Sequence, residues 1–163
     1  MLGGRIVCPF QGAGGAALGV LEESLPDMLE PFRNIQEAVG RNTPQGNLEM
    51  ALTGIYRFQT RVAPLFAGLF AEPELLRAFR RSLTSQDKGP QLSIGAIASY
   101  IEAEQKLGRM SRQIDANVCG QLLVGSTFFR AFVEHFFDKP LQPSWANFAK
   151  ELVAIISQKH LLE

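Results

Sequence analysis

Past residue 16, apolar residues recur at three- and four-residue spacing along almost the whole chain. Val20, Leu21, Leu25, Met28, Leu29, Phe32, Ile35 and Val39 form one helical side from about residue 17 to 39. Pro26 and Pro31 are expected to break or kink it, and Gly40 to close it. Thr43 and Pro44 pair an N-cap with a proline at the first helical position, starting a helix predicted to reach about Arg61. Leu48, Leu52, Ile55, Gln59 and Val62 follow along one of its sides. A short helix over 62–71 is continuous with it or bent at Pro64. Glu72 and Pro73 open the next, which carries Leu75, Leu76, Phe79 and Leu83, and 85–90 is a polar turn cluster. A helix over about 91–107 carries Ile94, Ile97, Ala98, Ile101 and Leu107, with Gly108 as its cap. Asp115 caps another over about 116–137. After the loop 138–143, Pro143 or Ser144 starts a last helix with Trp145, Phe148, Leu152, Ile155 and Ile156. The only β-like run is 5–8, and it is isolated. The pattern predicts an all-α domain of six or seven helices.

One segment does not fit a helix with a single covered side. Residues 121–137, QLLVGSTFFRAFVEHFF, spread five Phe, two Leu and two Val nearly all around the helix. A membrane does not explain them, because Arg130, Glu134 and His135 interrupt the run. The longest uncharged apolar stretch, 62–71, falls well short of the roughly 20 residues a spanning helix needs. A ligand cavity and a second copy of the chain remain as covers.

Composition narrows the choice further. A chain of 163 residues suffices for one domain with a real core. Sixteen basic residues balance sixteen acidic ones, which leaves no electrostatic footprint for nucleic acid. Cys8 and Cys119 make neither a disulfide framework nor a zinc site and read as reduced thiols of a cytoplasmic protein. The first residues are too broken by Gly, Pro and Gln for a signal peptide. Gly12, Gly14 and Ala17 match a dinucleotide-binding glycine pattern, but no strand precedes them and helix follows helix. His135 and His160 stand on different segments without metal-ligand spacing to Cys or carboxylate. No nucleophile elbow is present, and no catalytic residue or cofactor is assigned. Arg77, Arg80 and Arg81 form a basic helix side that reads as a solvated face. Tyr56, Gln59, Ser99, Tyr100, Asn117, Gln121 and Thr127 interrupt apolar-rich helices. They serve either ordinary helix-surface hydrogen bonds or the lining of a mostly apolar cavity.

The order of segments resembles the regulatory domain of tetracycline-repressor-like (TetR) transcriptional regulators. The residues that carry the resemblance are VLEESL at 20–25, the Thr43–Pro44 start, VAPLFAGLFAEPELL at 62–76, IASYIEAEQKLGRM at 97–110, the Asp115-led helix with its aromatic run, and a Pro-led closing helix. The match spans residues 17–163, leaving 1–16 as an irregular segment. Such regulators begin with a helix-turn-helix unit. Residues 1–16 do not match one and are too few to hold one, so no sequence-specific DNA binding is expected of this chain.

The resemblance implies a bacterial ligand-sensing and dimerisation domain, not an enzyme, whose small, mainly apolar effector acts allosterically on DNA binding. It implies a homodimer through a four-helix bundle of the last two long helices. The interface it implies comprises Gly120, Leu123, Thr127, Phe128, Phe132, Phe136, Phe148, Leu152 and Ile155. The implied effector cavity comprises Phe32, Ile55, Tyr56, Gln59, Phe66, Phe70, Tyr100, Gln121 and Phe129. The alternative is a helical dimerisation or interaction module without a small-molecule ligand; a small helical enzyme ranks below both.

Overall fold

Two helix starts are set by side chains one residue ahead of an apolar-periodic run. Thr43 Oγ1 accepts from the Gly46 amide at 3.1 Å, and Asp115 Oδ1 from the Val118 amide at 2.8 Å. Each satisfies an amide that the first helical turn leaves without a backbone acceptor. The computed structural model describes Gly19, residues 29–85 and residues 89–157. The expected irregular segment 1–16, the glycine pattern, Cys8, Pro26, His160, most of the expected first helix up to residue 28, and 86–88 of the polar turn lie outside the described residues.

The described helices are α1 (29–37), α2 (Pro44–Ala71), α3 (Pro73–Ser85), α4 (Pro90–Lys106), α5 (Ala116–Phe136) and α6 (Trp145–Ser157); no strand occurs among the described residues. The all-α expectation holds at this level. Residues 44–71 make one helix with Pro64 inside it. Proline removes an amide donor there, but both Pro64 and Thr60, whose carbonyl loses that donor, are exposed. Val62, on the opposite side, and Ala63 are buried and hold the helix on course.

Helix ends follow backbone conformation. Gly40 and Gly108 both take φ +73°, a left-handed value that suits glycine. At α4 the Gly108 amide donates to Gln105 O at 3.1 Å and the Arg109 amide to Glu104 O at 2.9 Å, a Schellman closure. Asp138 plays the same part after α5 at φ +48°, with Lys139 N on Glu134 O at 3.1 Å.

The core gathers Leu48, Leu52 and Ile55 of α2, Ile97, Tyr100 and Ile101 of α4, Leu123 of α5 and Val153 of α6. Helix α5 packs along both α2 and α4, and α6 lies mainly on α2. At the α4–α5 crossing a Cβ on Gly120 would stand 2.8 Å from the Ile94 carbonyl oxygen, so only glycine permits the approach. Helix α3 leans on the C-terminal end of α2 through a smaller cluster, Leu69 and Leu75 with Phe66, Leu76 and Phe79 around them.

A polar clamp ties the α1–α2 turn to α4. Buried Glu104 accepts from the Gly40 amide at 2.9 Å and pairs with Arg109 Nε at 3.2 Å. Arg109 also donates to the carbonyls of Arg41 and Asn42. Asn47 Nδ2 reaches Ala38 O, Arg41 O and the Tyr100 hydroxyl. Burial, with Glu104 adding to it against the Asn47 amide, pushes the Tyr100 hydroxyl up to about 12.

Gly120→Val should lower stability by about 1–3 kcal/mol, because backbone at the crossing must move. Gly68→Ala, into open space on the exposed side of α2, should raise it by about 0.5–1 kcal/mol. Denaturant midpoints at unchanged slope provide the measurement.

Candidate functional site

Helix α5 has two apolar rows. The inner row is Ala116, Cys119, Gly120, Leu123, Val124, Thr127, Arg130 and Ala131, all buried. Val118, Leu122, Phe129, Phe132 and Phe136 form the outer row, each between 47% and 69% exposed, and Gly125 completes it. Steps of four, three, four, three and four residues separate 118, 122, 125, 129, 132 and 136. With about 100° of turn per residue, that row lies opposite the inner one. Its repeat of about 3.5 residues is the period of a helix seam that meets another helix. Contiguous apolar surface of this kind marks an interaction site.

Aromatic contacts extend the surface on both flanks. The Phe128 ring meets Phe66 edge-on at 6.0 Å between centroids, and Phe66 lies 6.5 Å from Phe70. Phe136 stands 6.0 Å from Phe132 and 5.0 Å from Phe137. Ile155 of α6 is also exposed.

The structure divides the expected interface residues. Phe128, Phe132, Phe136 and Ile155 are exposed, and Phe148 is half-buried. Leu123, Thr127 and Leu152 are covered by the protomer's own helices, and Gly120 by Ile94, so these four do not belong to an outer face. The helical period decides this on α5, where Gly120, Leu123 and Thr127 fall on the same side as Ala116 and Ala131, while Leu152 belongs to the buried side of α6. Val118, Leu122, Gly125 and Phe129 were missing from the expected interface. The four–three spacing running back from Phe136 is the signal that identifies them.

The expected cavity residues do not line a common cavity. Phe32 and Ile55 are core. Tyr100 is fully buried and engaged by Asn47. Tyr56 stacks on Trp145, with ring centroids 3.9 Å apart and planes 2° from parallel, and donates to Glu134. Phe66 and Phe70 lie at the C-terminal end of α2, Phe70 largely exposed, while Gln59 is buried one turn beyond Ile55. Gln121 and Phe129 line an open groove of about 520 Å³ with Leu122, Gly125, Leu141 and Phe148. A second open groove, about 550 Å³, lies between α1, the first half of α2 and the start of α6. Pro31, Asn34, Met50, Gly54 and Ala149 line it, and none of the expected cavity residues does.

A charged knot fixes the groove beside α5. Arg130 is 3% exposed. Its Nε donates to Glu134 Oε1 at 3.0 Å, and its Nη2 to Leu141 O and Pro143 O, both at 2.7 Å. The guanidinium sits 4.9 Å over the Phe148 ring, a cation–π contact. The Leu141 amide closes the loop on Glu134 Oε1 at 2.9 Å, and Trp145 Nε1 donates to Thr53 Oγ1 at 3.0 Å. Burial works to raise the Glu134 carboxyl, but the Tyr56 hydroxyl, the Leu141 amide and Arg130 outweigh it and hold it below the ordinary carboxylate value. Burial first, then Glu134, push the Tyr56 hydroxyl up.

Among the described residues no group of three His, Cys, Asp or Glu is placed to hold a metal ion, and no helix is long and apolar enough to cross a membrane. His135 is exposed, Cys119 is a buried free thiol, and Arg77, Arg80 and Arg81 face solvent, with Arg77 paired to Glu74. In comparisons with known proteins, no family model, curated protein or solved structure matches this chain.

Breaking the knot by Arg130→Met should cost about 3 kcal/mol or more, because Glu134 is left without its cation. Because folding lowers its pKa, the Glu134 contribution is present above the unfolded value of about 4.3 and is lost as pH falls through the folded one. Glu134→Gln should therefore lose stability at neutral pH and show a shallower decline toward acid. Urea unfolding at several pH values measures both effects.

Proposed function

We propose that this chain is the ligand-sensing and dimerisation domain of a cytoplasmic, bacterial transcriptional regulator of the tetracycline-repressor type. The observation that carries the proposal is the outer row of α5, an apolar seam at helix-pairing period opposite the side that builds the core. A second copy related by two-fold symmetry would present the same row, and each would cover the other. The groove lined by Leu122, Gly125 and Phe129 of that row and by Phe148 of α6 adjoins it, and Ile155 of α6 is exposed as well, consistent with a bundle of two helices from each copy. A small, mainly apolar effector would bind one arrangement of the helices better than the other and shift their balance. The signal would leave through α1, toward the DNA-binding unit that such regulators carry ahead of it. The open form of both grooves favours a second reading, a helical dimerisation module with no small-molecule ligand.

Phe129→Asp should preserve the helical fold, because the side chain is 66% exposed. It should weaken the dimer by roughly a thousandfold. A loss of about 2 kcal/mol counted on each of two copies gives that factor. Sedimentation equilibrium measures it, and a wild-type chain that stays monomeric at high concentration refutes the proposal. In a thermal-shift screen of apolar small molecules, a true effector at 100 times its Kd should add about 2.7 kcal/mol. A dimer that nothing shifts supports the ligand-free module instead.

A further inference from the structure

The outer row of α5 is lopsided along its length. Val118, Leu122 and Gly125 make its N-terminal half, Phe129, Phe132 and Phe136 its C-terminal half, and all six are exposed. At Gly125 the row has a gap, where a Cβ would meet nothing within 4 Å. The other α5 glycine, Gly120, is required by the Ile94 carbonyl, whereas no described contact requires Gly125. A glycine inside a helix costs about 0.5–1 kcal/mol relative to alanine, so its place in the row calls for a reason. Gly68 and Gly95 are open too, but no row of exposed Phe passes through either. The groove of about 520 Å³ runs beside the gap, and Gly125 and Ser126 are the smallest residues lining it.

The spacing of 118, 122, 125, 129, 132 and 136 reads four, three, four, three, four from either end. A second copy turned end for end therefore meets the row in register, with 118 against 136, 122 against 132 and 125 against 129. Each glycine or aliphatic residue then faces a Phe, and such large–small alternation lets two helices interlock. A parallel pair sets Phe on Phe and Gly on Gly and leaves the gap empty. The area also suits a second copy. At about 200 Å² for a whole aromatic side chain, Phe128, Phe129, Phe132 and Phe136 expose roughly 450 Å². With Val118 and Leu122 they supply most of the roughly 800 Å² that each partner buries in a standard stable interface. No charge stands in the row. Arg130, Glu134 and His135 are the only charged or imidazole side chains on α5, and the first two are paired with each other.

We infer that the second copy lies antiparallel on α5, with the two-fold axis at the level of Thr127 and Phe129 of the partner subunit filling the gap at Gly125. This rests on the dimerisation reading and specifies its register. Each copy gives one knob and takes one, so the contact is made twice. The gap selects one register among those that an unbroken apolar row would permit.

Two sets of full-chain variants test the register. In Leu122→Cys/Phe132→Cys the two thiols of one chain stand about 15 Å apart along the helix, too far for a disulfide within it. Mild oxidation should give a covalent dimer of the double variant, while each single variant stays at the level of the wild type, which controls for the native thiols. Gly125→Leu should keep the helical circular dichroism, because its side chain enters open space, and should weaken the dimer at least thirtyfold in sedimentation equilibrium. Adding Phe129→Ala should recover at least tenfold of that loss. Unspecific association of an apolar patch would instead be strengthened by the leucine. The Gly125 variants decide the matter should the cysteine pair leave the chain monomeric. A single cysteine variant that links to its own image, or a dimer that Gly125→Leu leaves equal or tighter, overturns the register and leaves dimerisation standing. A wild-type chain that stays monomeric overturns the register and the dimerisation reading together.

Discussion

Everything in this structure turns on how closely α5 can lie against α2 and α4. Its inner row is made mostly of small residues, and at Gly120 the backbone of α4 comes within van der Waals reach. Close packing of helices gains dispersion energy only where the surfaces interlock without voids. A row of Ala, Cys, Gly and Thr lets three helices meet around Tyr100 and Leu123. It also leaves no room inside for the large aromatic side chains of the same helix. Phe128, Phe129, Phe132 and Phe136 therefore stand outside, and the outer apolar surface follows directly from the inner packing.

Two polar networks complement this apolar frame at its weak points. The clamp of Asn47, Glu104 and Arg109 holds the α1–α2 turn, where Asn42 takes a left-handed φ of +46°. The knot of Arg130 and Glu134 holds the loop before α6, which otherwise touches α5 only lightly. Buried ion pairs of this kind contribute little net stability compared with apolar packing, and their use is to select one arrangement. In the knot that choice sets the height of α6 against α5, and with it the shape of the groove beside the outer row. Gln59 is the contrasting case, a buried polar group included in neither network.

Much of the fold was legible from local chemistry. Thr43, Pro44, Asp115, Gly40 and Gly108 act within a few residues of themselves, so helix starts and stops could be read without a tertiary model. The periodicity placed Ile97, Ala98 and Ile101 of α4 and Leu152 and Ile156 of α6 on the core side for the same reason, whereas Leu107 and Ile155 of the same rows are exposed. Pro64 was ambiguous, because its effect depends on whether the carbonyl it deprives faces water or protein. The site was far less legible. Tyr56 and Tyr100 looked like cavity linings, but a stacked Trp145 and the Asn47 amide, distant in sequence, engage them. The resemblance implies an interface role for Leu123 and Thr127, while the 3.6-residue turn assigns them to the inner row.

The amino-acid order by itself determined the helices, their caps and the excess of apolar surface on α5, because each of these depends on neighbours within one or two turns. Only the tertiary structure decided which of the two sides of α5 the core covers, and which polar groups found partners. Those outcomes depend on contacts between different helices and loops, some far apart in sequence, such as Tyr56 with Glu134 and Gly40 with Glu104, which no local pattern encodes.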